Sequence, residues 1–218
     1  MKDLAITQEY LVCALNSKGK ISGVNVEKSV CLIASGLLEL QLEDCIKIEN
    51  KKVTVINSLP KEKLYLKPLY DFVNKSKPIK LEKILEEYLY SVTDKNLQEL
   101  INSIGKSLEN LGAVKTTTTG ILKNKTAYIP NKEVVNYVVD MVRSELLEDV
   151  ELTEDIAVLT TLLEKSKLLK TYFSEYEQKE IKDKLKEIKK SDTSKMVKEM
   201  IAYIENMIAI MTVVTAFN

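Results

Sequence analysis

Met207-Ile208-Ala209-Ile210-Met211-Thr212-Val213-Val214-Thr215-Ala216-Phe217 runs for eleven residues without a charge. As an α-helix it rises about 16 Å, well short of a hydrocarbon core of about 30 Å. Upstream extension meets Lys195, Lys198, Glu199 and Glu205. The run therefore predicts a helix buried on all sides at the centre of the protein, not a membrane-inserting tail. That reading makes the fold a mainly α body with a central helix bundle.

The rest of the chain is read against this axis. Six glycines and four prolines in 218 residues leave few breaks, so helix dominates. Thr7 to Asn16 is a helix that Thr7 can cap, with a narrow stripe of Tyr10, Leu11, Ala14 and Leu15. Ser17-Lys18-Gly19-Lys20 ends it. Asn25 opens a second helix to Leu40, with Val30, Ile33, Ala34, Leu37 and Leu38 on one face. Cys45-Ile46-Lys47-Ile48-Glu49 and Lys52-Val53-Thr54-Val55-Ile56 alternate around Asn50-Lys51, which predicts a hairpin. Helices follow over 64–74, 81–92 and 96–111, the last stopped by Gly112. Thr116 to Thr119 are β-branched and suit a strand, so 113–129 is a second hairpin that turns near Gly120 or Asn124-Lys125. Helices return over 134–147, 156–169, 175–189 and 196–217. No repeat, linker or boundary appears, and 1–218 reads as a single globular domain of surrounding amphipathic helices and two short hairpins.

Composition removes whole classes of function. At 45% hydrophobic and 29% charged, the chain has material for a core and is not disordered. Thirty-two basic and thirty-two acidic residues cancel, so any anion-binding surface is a local patch. The absence of His excludes Ser-His-Asp and Cys-His catalysis and His-ligated metals. Arg143 is the sole arginine, which rules out a site of several bidentate forks. Glu86-Glu87 and Glu148-Asp149 are helix neighbours about 100° apart, not paired acid–base groups. No enzyme, cofactor or metal is expected. Cys13, Cys31 and Cys45 read as buried reduced thiols, and Met1-Lys2-Asp3-Leu4 reaches charge too soon for a signal peptide. A cytoplasmic protein is expected, peripheral at most on the cytoplasmic membrane face.

Several stretches in order resemble the Golgi phosphoprotein 3 (GPP34) family. They are Leu4 to Lys20, Ala34-Ser35-Gly36-Leu37-Leu38-Glu39-Leu40 into Cys45-Ile46, and Gly112-Ala113-Val114 with Tyr128-Ile129-Pro130. Asp155 to Leu169 with Tyr172-Phe173 and the apolar C-terminal helix complete the set. A prokaryotic member is indicated. The resemblance implies a non-enzymatic peripheral membrane or adaptor protein that binds phosphatidylinositol 4-phosphate in a surface pocket. It also implies a second hairpin engaged in membrane contact and oligomerisation. The family pocket uses an aromatic residue before the second helix and an Arg within it. Two further basic residues stand three apart in the helix before the second hairpin. These positions fall on Val24, Ile33, Gln98 and Ile101, none of which carries charge, so a phosphomonoester loses its charge-assisted donors there.

What remains is the second hairpin. Lys106, Lys115, Lys123 and Lys125 with Ile121 and Leu122 form a candidate lipid-binding surface. Each lysine contributes about 1 kcal/mol near an anionic leaflet. Burial of the two apolar side chains adds roughly 3 kcal/mol. Expected partners are anionic lipid head groups or a membrane surface, a protein partner, or a second copy through hairpin 113–129. Helix, turn, helix, hairpin over Thr7 to Ile56 also outlines a winged helix. Its recognition helix offers Glu27, Lys28, Ser29 and Glu39 and no Arg, which is poor equipment for a major groove, so no nucleic acid is expected.

Overall fold

In a computed structural model the described residues are 4–22, 25–91, 93–119, 125–147, 152–190 and 195–216. Helix accounts for 68% of the structure. The described helices are α1 (Ile6–Ala14), α2 (Val26–Leu42), α3 (Lys67–Val73), α4 (Leu81–Leu89), α5 (Lys95–Asn110), α6 (Lys132–Leu147), α7 (Glu154–Lys165), α8 (Leu169–Tyr172), α9 (Glu175–Lys190) and α10 (Lys195–Ala216). The strands are β1 (Ile46–Glu49), β2 (Lys52–Val55), β3 (Ile79–Lys80), β4 (Val114–Thr119) and β5 (Lys125–Pro130). One contiguous apolar core runs from Ile6 to Val214.

The first hairpin forms as its alternation requires. Asn50 and Lys51 both take positive φ, 49° and 58°, as a two-residue turn between twisted strands demands. It gains a strand the sequence did not announce: Val53 pairs with Ile79 and Lys52 with Lys80, giving the order β1-β2-β3. The second hairpin pairs Val114 with Pro130 through Thr119 with Lys125.

The axle is α1, not the C-terminal helix. All nine residues of α1 are buried, and α2, α5, α6 and α7 pack around it. Thr7 does not cap it. The cap is Ala5, whose N–H donates to Gln8 Oε1 at 3.0 Å, and Thr7 lies inside the helix. Two of its polar groups are partnered from other helices, while the buried Thr7 hydroxyl has no hydrogen-bond partner among the described residues. Gln8 Nε2 donates to Ser107 Oγ at 3.0 Å, and the Thr7 N–H donates to Glu39 Oε2 at 3.2 Å. Glu39 itself is 3% exposed and also accepts from the Tyr65 hydroxyl and, at 2.8 Å, from Lys63 Nζ.

The C-terminal helix α10 is buried on one face only. Val197, Ile201, Ile204, Met207 and Val214 face the core, whereas Val213 is 57% exposed and Met196 45%. Ala202, Asn206, Ala209 and Thr212 share the exposed side. Its high average apolarity hides the fact that the outward positions are small or weakly polar. The helix foreseen over 156–169 also ends early. Lys167 adopts φ 62°, and the Leu168 N–H returns to the Leu163 carbonyl at 2.8 Å, an αL stop without glycine. Among the described residues no helix is long and apolar enough to cross a membrane. The recognition helix of the winged-helix alternative is α2, in which every residue from Ser29 to Leu40 is buried. It has no free face to offer a groove.

Candidate functional site

The second hairpin is fastened to the body by Tyr128 and two missing side chains. The Asn131 N–H donates to the Ala113 carbonyl at 2.9 Å, which fixes the ladder's phase. Lys115, Thr117 and Thr119 exchange bonds with β5, while the N–H groups of Tyr128 and Thr126 point away from β4. Tyr128 uses its outward N–H on the Gly19 carbonyl, 3.0 Å away. Gly19 takes φ +69°, and a Cβ there would lie 2.7 Å from the Tyr128 backbone; no other residue fits. The Tyr128 ring lies over Gly105 of α5, and its hydroxyl donates to the Asn102 carbonyl at 3.2 Å.

Where the clamp ends, a cavity of about 280 Å³ opens. Ile21, Val26, Leu89, Leu97 and Ile101 supply its apolar wall, and the polar groups are Lys20, Ser29, Asp94, Gln98, Lys125 and Thr126. Lys20 is positioned by Asn16, whose Oδ1 accepts the N–H groups of Lys18 at 2.9 Å and Lys20 at 3.2 Å. Lys125 stands at the start of β5 and projects from a backbone held by the clamp. Ser29 is 7% exposed, and its hydroxyl, on the cavity wall, has no hydrogen-bond partner among the described residues. The Thr126 N–H is a further donor at the mouth. At the first turn of α2, Glu27 is held below its usual range by the Lys167 ammonium. Burial, aided by nearby Lys170, pulls Lys28 down. This arrangement is two cations, a hydroxyl and a backbone donor around an apolar-walled pocket, equipment for an anionic group attached to an apolar one.

The anticipated residues are only partly brought together. Lys125 lines the cavity, as do Gln98 and Ile101. Lys115 is exposed on β4 opposite Ile129. Lys106 faces elsewhere, lining an open groove with Leu64, Pro68, Asp71, Asn102 and Ser107. Five residues from Ile101 is about 140° around the helix. Ile33 is fully buried in the core. Val24, Ile121, Leu122 and Lys123 lie outside the described residues. Lys20, Ser29, Asp94 and Thr126 were missed. Only Gly19 beside Lys20 carried a signal, and it read as a helix terminator. The three thiols are buried and unpaired, and burial pushes those of Cys13 and Cys31 well up.

The Golgi phosphoprotein 3 (GPP34) family model matches residues 6–204. The chain belongs to the Golgi phosphoprotein 3 (GPP34) family. The match spans the axle, both hairpins and the first ten residues of α10, so the cavity lies wholly inside the GPP34 region. No curated protein matches the chain.

Proposed function

We propose that this GPP34 chain is a non-enzymatic peripheral membrane or adaptor protein that takes a phosphate-bearing lipid head group into the cavity beside the second hairpin. The carrying observation is the meeting of Lys20 and Lys125, both without an acidic partner among the described residues, with the unpartnered hydroxyl of buried Ser29 and the free Thr126 N–H. A phosphate group offers charged acceptor oxygens to such donors, whereas water satisfies the hydroxyl but leaves the lysines uncompensated. The family resemblance supports the same ligand class. Replacement of its Arg and two further basic residues by lysine donors from other elements argues for weak, salt-sensitive attachment. Sedimentation with phosphatidylcholine vesicles, with and without added phosphatidylglycerol and phosphatidylethanolamine, tests this at two salt levels. Lys20→Glu with Lys125→Glu removes two contributions of about 1 kcal/mol each, a roughly thirty-fold loss before repulsion is counted. No sedimentation with any vesicle at low salt ends the proposal.

A second reading is assembly through hairpin 113–129. Thr116 and Thr118 present backbone groups on the outer edge of β4, and β5 is its only strand partner among the described residues. Open edges recruit strands. Light scattering on the chain, with and without Thr116→Pro, tests it. An unchanged mass counts against it.

A further inference from the structure

Besides β4, the first hairpin also ends in an open strand edge, and that edge lies in a groove. The Ile56 N–H donates to the Cys45 carbonyl at 2.9 Å, which fixes the phase of the β1–β2 ladder. Lys47 and Glu49 exchange bonds with Thr54 and Lys52, while the N–H and C=O groups of Ile46 and Ile48 point away from β2. β1 stands at the end of its sheet. Neither Ile46 nor Ile48 has a hydrogen-bond partner on that side among the described residues. All four residues of β1 line a groove of about 700 Å³, to which α10 adds Glu199, Met200 and Tyr203. A groove on one face of a strand meets alternate residues; four in succession place this one along the edge. Asp44, Glu49 and Glu199 outnumber Lys47 in its lining. The β4 edge has the opposite charge. Residues 113–130 carry Lys115, Lys123 and Lys125 and no acidic residue.

We infer that the groove between β1 and α10 accepts β4 of a second copy as an antiparallel strand, with Thr116 opposite Ile48 and Thr118 opposite Ile46. The inference rests on the assembly reading above and names the surface that receives the hairpin. Charge selects the register. Lys115 then stands across from Glu49 at a non-hydrogen-bonded position, where side chains come closest. A slip of two residues, the smallest that keeps outward groups facing, sets Lys115 against Lys47 or Lys51 instead. Pairing of β1 with β1 of a second copy would bring two acid-rich grooves together. Each copy has one acceptor edge and one donor edge, so the contact is heterologous and closes a ring or extends a filament. β1 is four residues long and carries a lysine, features that restrain edge pairing, so the association is weak and rises with concentration.

The test uses the full chain. Glu49→Cys protein is mixed with Lys115→Cys protein, with oxidised glutathione as the oxidant. The native thiols are buried and give little background. At a non-hydrogen-bonded position the two Cα atoms stand about 4.5 Å apart, within disulfide reach. The expected result is a mixed disulfide dimer on a non-reducing gel. Lys47→Cys in place of Glu49→Cys moves the thiol to a diagonal position about 7–8 Å away, and the dimer is lost. By light scattering, Glu49→Lys or Lys115→Glu alone weakens association about two- to fivefold, and the two combined in one chain restore it. No mixed disulfide, with a mass that still falls on Thr116→Pro, refutes the acceptor groove and leaves the assembly reading standing. A Glu49→Cys protein that cross-links to itself refutes it in favour of a two-fold β1 pair. Equal cross-linking through Lys47→Cys refutes the register and with it the inference. A mass that does not change with concentration overturns both readings.

Discussion

Gly105→Ala places a methyl group where the Tyr128 ring already is. The added Cβ would lie 2.7 Å from Cδ1, Cδ2 and Cε1 of that ring, about 1 Å inside ordinary carbon contact. On α5 alone the change is favourable, since alanine exceeds glycine in a helix interior by about 1 kcal/mol. The clash opposes it. The ring cannot retreat freely, because its hydroxyl is tied to Asn102 at 3.2 Å and its N–H to Gly19 at 3.0 Å. Forcing a methyl into a packed contact costs about 1–3 kcal/mol. The expected net loss is up to about 2 kcal/mol, lowering Tm by as much as roughly 8 °C at this chain length. Hydrogen exchange should localise it: the amide of Tyr128 loses protection while those of α2 do not. In a Tyr128→Ala background the ring is gone, so Gly105→Ala should become stabilising by about 1 kcal/mol. A rise in Tm from Gly105→Ala in the wild-type background, with Tyr128 still protected, would refute the clamp.

The remaining expectations are shorter. Glu39→Ala strips partners from the Tyr65 hydroxyl and the Thr7 N–H, so urea titration should show a loss of about 2–5 kcal/mol, with Tyr65→Phe costing less. Arg143 Nε donates to Glu177 Oε1 at 2.8 Å and, with Ser174, holds the Glu177 carboxyl down to about 2. A depressed carboxyl stabilises the fold above its unfolded pKa of about 4.3 and loses that contribution as pH falls towards 2. The α6–α9 contact should therefore lose about 1 kcal/mol, the scale of an exposed pair, across that acid window, and Arg143→Met should flatten the effect. Val213→Lys should change stability by less than about 0.5 kcal/mol, whereas Ile204→Ala should cost about 2–5 kcal/mol. Equal costs would restore the all-round burial that the sequence suggested for α10.

The helices were legible where a 3.6-residue period held over ten residues or more, as in α2, α5 and α9. The first hairpin was legible from alternation around Asn50-Lys51. Two residues cannot show a period, so β3 was invisible; it exists because Lys52 and Val53 of β2 needed partners. Thr7 and Gln8 of α1 look like a polar edge until Glu39 and Ser107 are seen to meet them from other helices. Helical rotation explains the site. Lys106 is near the hairpin in sequence but turns into another groove, while Lys20, a century of residues away from β5, lines the same cavity as Lys125. The Thr126 donor is backbone and has no residue-type signature at all.

The shape of the cavity and its charge come from different residues. Gly19, Gly105 and Tyr128 set where the hairpin docks, and none of the three is charged. Gln98 and Ile101, which bring no charge, stand in the cavity wall. Positive charge enters instead from a turn built on Asn16 and from the first residue of β5. Because both lysines sit on backbone that the Tyr128 contacts hold, the pocket can change its ligand by exchange of rim side chains while the fold stays fixed. Undocking the hairpin would remove Lys125 and the Thr126 N–H together, so head-group affinity should follow the integrity of the Gly105–Tyr128 contact. Gly105→Ala should then weaken head-group binding more than Lys125→Ala does. An affinity unchanged by a variant whose Tyr128 amide has lost protection would mean that the hairpin contributes nothing to the site.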